Sequence, residues 1–257
     1  MHAPTVGCVG ALLALASAAA LAQAESPAVV PYRPTVSTPT DLPAPGWPEL
    51  EAGGLVAKGG NAARSESTPV LFKLAWSESW GVLIGTDVYD WQRDFDGSTA
   101  HSGGDTTVEL KYRHPLSDAW SLGSEVGVII PTARPPIGTG KTGWSALGIA
   151  SYDSDVVHVD VNVGGTHPGA VDEGQGPWQG IWAVSASHPL PHDFTLEAEV
   201  SGLAQRGTSA QTQVLGALSY SVSRQLVLDA GVAAGLSRAS PHWQLMGGLT
   251  VQLGHWF

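Results

Sequence analysis

The chain has 257 residues, a formal net charge of −11 and one cysteine. An acidic balance of that size argues against a surface for nucleic acid, a lone cysteine excludes a disulfide framework, and past the N-terminus no apolar run reaches the roughly 18 residues that a membrane helix needs. Abundant glycine and tryptophan with almost no methionine fit many short twisted strands better than a helical enzyme.

Gly7 to Ala22 is an unbroken run of small and apolar residues that ends in Ala22-Gln23-Ala24. A short apolar core closed by Ala-x-Ala predicts a cleaved secretory signal peptide over 1–24, and Cys8 would leave with it. Residues 25–46 are proline-rich and lack alternation. Proline removes backbone donors and fixes φ, so this stretch is expected to be an extended periplasmic leader outside the sheet, with no plug domain.

From Trp47 to Phe257 the pattern changes to alternation. Twelve segments of about ten residues, the length that crosses a bilayer as a tilted strand, fall near 47–57, 67–77, 80–91, 105–114, 119–130, 143–152, 155–165, 177–187, 194–204, 211–222, 225–236 and 243–257. In the fourth, Thr106, Val108, Leu110 and Tyr112 oppose Thr107, Glu109, Lys111 and Arg113; in the seventh, Val157, Val159, Val161 and Val163 oppose His158, Asp160 and Asn162. The last runs apolar on one face from Trp243 to Phe257, like a closing strand whose terminal aromatic is read by the barrel assembly machinery. A soluble sandwich also alternates, so periodicity alone does not decide.

Loop lengths and tryptophans do. Connections alternate long and short, as in an up-and-down barrel with tight turns on one rim and longer loops on the other. Trp47, Trp76, Trp80, Trp120 and Trp256 fall at the turn rim, Trp91, Trp144, Trp178 and Trp243 at the loop rim, with Trp182 just below it. Indole rings favour the lipid–water interface. The fold class is therefore all-β: a transmembrane antiparallel up-and-down β-barrel of twelve strands over 47–257, closed because every backbone donor in lipid must be paired.

Parity places Glu51, Lys73, Asp87, Glu109, Lys111, Arg113, Glu125, His158, Asp160, Glu197, Glu199 and Asp229 inside. Twelve strands enclose too wide a space for small residues alone, so the interior is expected to be polar or wet. These charges either form a selective constriction, helped by an infolded loop Thr132–Thr142, or pair across neighbouring strands and stiffen the barrel. Gly138-Thr139-Gly140-Lys141-Thr142 lacks the strand-to-helix setting of a phosphate loop, and His188 and His192 lack a third ligand for a metal. No cofactor or metal is expected. A lipid-facing Ser and His pair, as an outer-membrane phospholipase needs, is not visible, and the chain is not read as an enzyme.

Several local patterns resemble one group of proteins. A proline-rich lead containing Arg33-Pro34, Thr38-Pro39-Thr40 and Leu42-Pro43 runs into Glu49-Leu50-Glu51-Ala52-Gly53. A proline-led strand starts at Thr68-Pro69, a strand from Gly104-Asp105 ends in Lys111-Tyr112-Arg113, and another ends in Ile130-Pro131-Thr132. Together they resemble the putative meta-pathway of phenol degradation family of outer-membrane proteins. That resemblance implies a transporter-like barrel linked to aromatic or hydrophobic compounds, and no catalytic residues. The expected function is an outer-membrane channel for passive diffusion of small molecules, embedded in the lipid bilayer; the alternative is a non-conducting barrel with a structural or partner-binding role.

Overall fold

The computed structural model describes residues 26–257, so the signal-peptide expectation over 1–24 lies outside the described residues. Thirteen strands follow in order: β1 (Glu49–Gly59), β2 (Ala62–Ala75), β3 (Trp80–Arg93), β4 (Thr99–Ser102), β5 (Thr106–Pro115), β6 (Trp120–Ile130), β7 (Gly143–Asp153), β8 (His158–His167), β9 (Gln179–Leu190), β10 (Phe194–Gln205), β11 (Gln211–Ser223), β12 (Leu226–Gly235) and β13 (Pro241–Gln252). Each pairs antiparallel with its neighbour, and β1 closes on β13 through Glu49↔Gln252 to Lys58↔Trp243. The circle holds twelve strands. The extra one, β4, sits inside the expected loop after Arg93 and pairs with the end of β3 as a short hairpin above the wall, Asp90↔Ser102 to Arg93↔Thr99.

Two further expectations are corrected. The first outer connection is not a long loop: Lys58↔Arg64 and Gly59↔Ala62 continue the ladder, and Gly59 and Gly60, both at φ +82°, make the reversal tight. The closing strand stops at Gln252 and not at the C-terminus. Its partners run out there, since Leu226 begins β12 opposite Val251 and Glu49 begins β1 opposite Gln252. Residues 253–257 instead bond to the stretch that joins the leader to β1, Leu253 N–H to Pro48 O at 2.8 Å and Trp256 N–H to Gly46 O at 2.8 Å, which leaves Phe257 exposed at the turn rim.

The outer face is apolar around the circle. Val126, Val163, Val200, Val232 and Leu245 are all exposed although they stand mid-strand, an arrangement that water penalises and lipid does not. Aromatic pairs band the turn rim: Trp80–Tyr112 at 4.6 Å, Trp120–Tyr152 at 4.9 Å and Phe194–Tyr220 at 4.8 Å between ring centroids. Trp144, Trp178, Trp182 and Trp243 are exposed toward the other rim. A closed ladder with this surface is a transmembrane barrel.

The inner face is less uniformly polar than parity alone implies. On β11 and β12 Leu215, Ala217 and Ala233 pack together against Met246 of β13, and Leu83, Ile149 and Ala183 are also buried on inward positions. Inside, side chains meet one another and not bulk water alone, so an apolar patch there loses little.

Candidate functional site: a leader threaded through the lumen

The leader is inside the barrel. Ser26, Val29, Tyr32, Ser37, Thr40 and Leu42 are buried, and the segment enters beside Arg224, where Val29 N–H meets Arg224 O at 2.8 Å. It leaves where Gly46 N–H meets Ala75 O at 3.0 Å, at the same rim. This corrects the expectation of a periplasmic tail outside the sheet with no plug. The physical reason lies in the donors that proline leaves behind. Outside a ladder, each remaining N–H needs an acceptor, and the inner wall supplies them: Val30 to Glu49 (3.0 Å), Tyr32 to Glu51 (2.7 Å), Ser37 to Glu199 (2.8 Å), Thr38 to Asn162 (2.8 Å) and Thr40 to Ser151 (2.9 Å).

Two fully buried lysines anchor it on one side. Lys73 of β2 lies 2.9 Å from Glu49 and 2.7 Å from Glu51 and also donates to Val30 O. Lys111 of β5 lies 2.8 Å from Glu125 of β6 and donates to Pro39 O at 2.6 Å, while Thr38 Oγ1 donates to the same Glu125 at 2.9 Å. The Tyr32 ring sits between them, with each ammonium 4.0 Å from its centroid, and its hydroxyl donates to Asp41 O at 2.6 Å. Cations held against a ring in a dry site gain about 2 kcal/mol each.

The opposite wall grips with mostly neutral groups. Asn162 both accepts from Thr38 N–H and donates to Thr38 O at 2.9 Å. Ser37 Oγ donates to Ser185 Oγ at 2.6 Å, and on the lysine side Thr40 Oγ1 and Ser121 Oγ of β6 share a hydrogen bond at 2.5 Å. The ionic contact beyond the opposite wall's neutral groups is Arg33 with Asp229 at 3.3 Å; Arg113 of β5, 2.9 Å from Asp41, belongs to the lysine side. Arg33 crosses the wall where Gly53 of β1 pairs with Gly248 of β13, and a Cβ on either glycine would collide with its guanidinium. The glycine of the Glu51-Ala52-Gly53 motif is thus a gap that the leader fills.

The inward set divides by what it touches. Glu51, Lys73, Lys111, Arg113, Glu125, Glu199 and Asp229 contact the leader. Asp160 and His158 form a wall network instead: His158 lies between Asp153 Oδ1 (2.5 Å) and Asp160 Oδ2 (2.9 Å), and Ser151 donates to Asp160 at 2.5 Å. Glu109 accepts from Ser145 at 3.0 Å and Glu197 from Ser219 at 2.5 Å. Asp87 borders open space. Sequence reading missed Tyr32, Arg33 and Thr38 on the leader, and Glu49, Asn162, Ser151 and Ser185 on the wall. Parity did carry a signal for Glu49 and Asn162, which share a strand face with Glu51 and Asp160, whereas β7 and β9 hold no charged residue of the inward set to mark Ser151 and Ser185.

The leader does not fill the lumen. A hollow of about 220 Å³ lies between it and β8–β12, bordered by Pro31, Thr35, Asp160, Ser187, Thr195 and Glu197. A second of about 340 Å³ lies on the other side, bordered by Tyr32, Glu51, Leu71, Asp87, Asp105 and Thr107. No residue of the loop Thr132–Thr142 borders either hollow; it ties to the rim, with Ala133 N–H on Asp105 at the edge of the second hollow and Arg134 N–H on Ser102, each at 2.9 Å.

No protein-family model matches this chain, and no curated protein matches it. Solved structures do. An outer membrane channel from Pseudomonas putida F1 is similar at 9% identity with a TM-score of 0.66, over 86% of this chain and 100% of that one. The KdgM porin is similar at 11% identity and 0.59, over 80% and 99%, and the NanC porin at 12% and 0.58, over 79% and 100%. The fold is that of outer-membrane channels and porins. At such identities the likeness speaks for the architecture, and the leader's contacts are read from this chain alone.

Proposed function

We propose that the protein is an outer-membrane channel for passive diffusion of small molecules, with residues 26–46 as a resident plug that narrows it. The observation that carries this reading is the pair of hollows on either side of the leader inside a lipid-facing barrel. A pore with fixed polar groups along a narrow passage selects by size and charge. The site residues of the filter are, in this reading, those whose carboxylates border open space, while Lys73, Lys111 and Glu125 position the plug.

The finer reading follows the family resemblance: the solute is an aromatic or other hydrophobic compound, and the apolar residues that border the hollows, Val29, Pro31 and Val227 on one side and Pro69 and Leu71 on the other, give such a solute wall to slide along. Phe257, exposed at the turn rim, is the contact offered to the barrel assembly machinery. No chemistry on a substrate is part of this proposal. The test is conductance in a planar bilayer with purified, folded barrel. Stepwise openings are expected, together with liposome swelling by small neutral aromatics; a folded barrel silent in both assays overturns the channel. A second reading, a non-conducting structural barrel, draws on the buried lysine clusters that seat the leader, and that silence would favour it.

A further inference from the structure

Inside the barrel the two signs of charge are treated differently. Every lumenal base has an acid: Lys73 has Glu49 and Glu51, Lys111 has Glu125, Arg33 has Asp229, Arg113 has Asp41, and His158 stands between Asp153 and Asp160. The reverse does not hold. Among the described residues Asp87, Asp105, Glu109, Glu197 and Glu199 have no base within ion-pair distance, and their hydrogen bonds come from neutral donors: Ala133 N–H to Asp105, Ser145 to Glu109, Ser219 to Glu197 and Ser37 N–H to Glu199. Glu199 is 2% exposed, and its Oε1 has no partner at all. It stands two residues along β10 from Glu197, on the same face.

Three of these acids border the open space beside the leader. Glu197 borders the hollow between the leader and β8–β12, and Asp87 and Asp105 border the hollow on the other side. The bases on those borders are Arg33 and His158, both already matched. A permeating ion therefore meets unmatched negative charge whichever side of the leader it takes. In a narrow, partly dry passage such charge attracts cations and excludes anions far more strongly than in bulk water.

We infer that the passage past the leader is selective for cations and for small ammonium-bearing solutes, with Glu197 and Asp87 as its specificity-determining residues. Glu199, next to Glu197 with an unpartnered oxygen, adds to the field on the β10 side. This rests on the channel reading and names the charge of what the channel passes; a carboxylate-bearing solute of the same size is excluded.

Reversal potentials across a planar bilayer with a KCl gradient test it on the full mature chain. The wild type is expected to pass potassium several-fold more readily than chloride. Glu197→Gln together with Asp87→Asn is expected to reduce that ratio several-fold, whereas Asp94→Asn with Asp96→Asn, in the exposed turn between β3 and β4, leaves it in place. Open channels that show no preference, or prefer chloride, overturn the inference while the channel stands. A ratio that survives the double substitution removes the two residues from the filter and overturns their assignment. A barrel that never conducts removes the channel reading, and this inference falls with it.

Discussion

The leader is held by two walls of different chemistry. On the β1–β6 side, two ammonium groups with no solvent exposure sit among three carboxylates and two backbone carbonyls. On the β7–β11 side, hydroxyls, one amide and one carboxylate meet backbone N–H groups, and the ion pair beyond them, Arg33 with Asp229, is longer at 3.3 Å. A hydrogen bond between neutral groups adds about 1 kcal/mol. Removing one partner of a buried ion pair costs about 3–5 kcal/mol, because the other charge is stranded in a dry place. The first wall is therefore the anchor that must stay intact, and the second can let go piece by piece.

The largest expected effect comes from removing both walls' cargo at once. Deletion of residues 26–46 empties the lumen and strips every leader bond from Lys73, Lys111, Glu199, Asn162 and Ser151. Conductance is expected to rise several-fold and the temperature at which the folded barrel unfolds on a gel to fall. Unchanged conductance in a folded deletion variant would show that the leader is not the obstruction.

Next come the anchors. Lys73→Met leaves Glu49 and Glu51 facing each other without a cation, and Lys111→Met leaves Glu125 with only Thr38 Oγ1. Each is expected to destabilise by about 3–5 kcal/mol, read as a shift in the denaturant midpoint of refolding into micelles. Substitution on the other wall breaks the symmetry of the test: Asn162→Ala loses two bonds to Thr38 and is expected to cost about 1–3 kcal/mol. Equal losses at Lys111 and Asn162 would erase the distinction between the walls.

Much of the barrel could be read directly from residues. Period-two alternation at Val159–Val163 and at Leu226–Ala234, the tight turns, and tryptophans at the rims each report a local rule, and the ladder of neighbours follows from them. The interior could not be read in the same way. Proline-rich sequence states that residues 26–46 make no ladder, not where they go; that depends on acceptors contributed by Glu49, Ser151, Asn162 and Glu199, up to 162 positions away in sequence. The clue was an excess of inward carboxylates over inward bases together with a lumen too wide for its side chains. Closing-strand length failed for a related reason, because Val251 is the last residue with strand partners on both sides and Gln252 the last with any, a fact about β1 and β12 and not about the alternation of Trp243–Phe257.

The finest distinction lies within β2, which carries an ion pair at each end. Lys73 sits at the buried end with no exposure, whereas Arg64 and Glu66, 2.6 Å apart, stand at the loop rim with side chains 56% and 38% exposed. Contact geometry is at least as close in the exposed pair, so distance alone would rank it equal or stronger. Solvent reverses the order: water screens both charges, already satisfies them singly, and makes holding two long side chains in one arrangement an entropic loss. Arg64→Ala is therefore expected to shift the refolding midpoint by less than about 1 kcal/mol, against the several expected at Lys73. A comparable loss at both positions would mean that burial, and not the ion pair as such, has been misjudged as the origin of the anchor's strength.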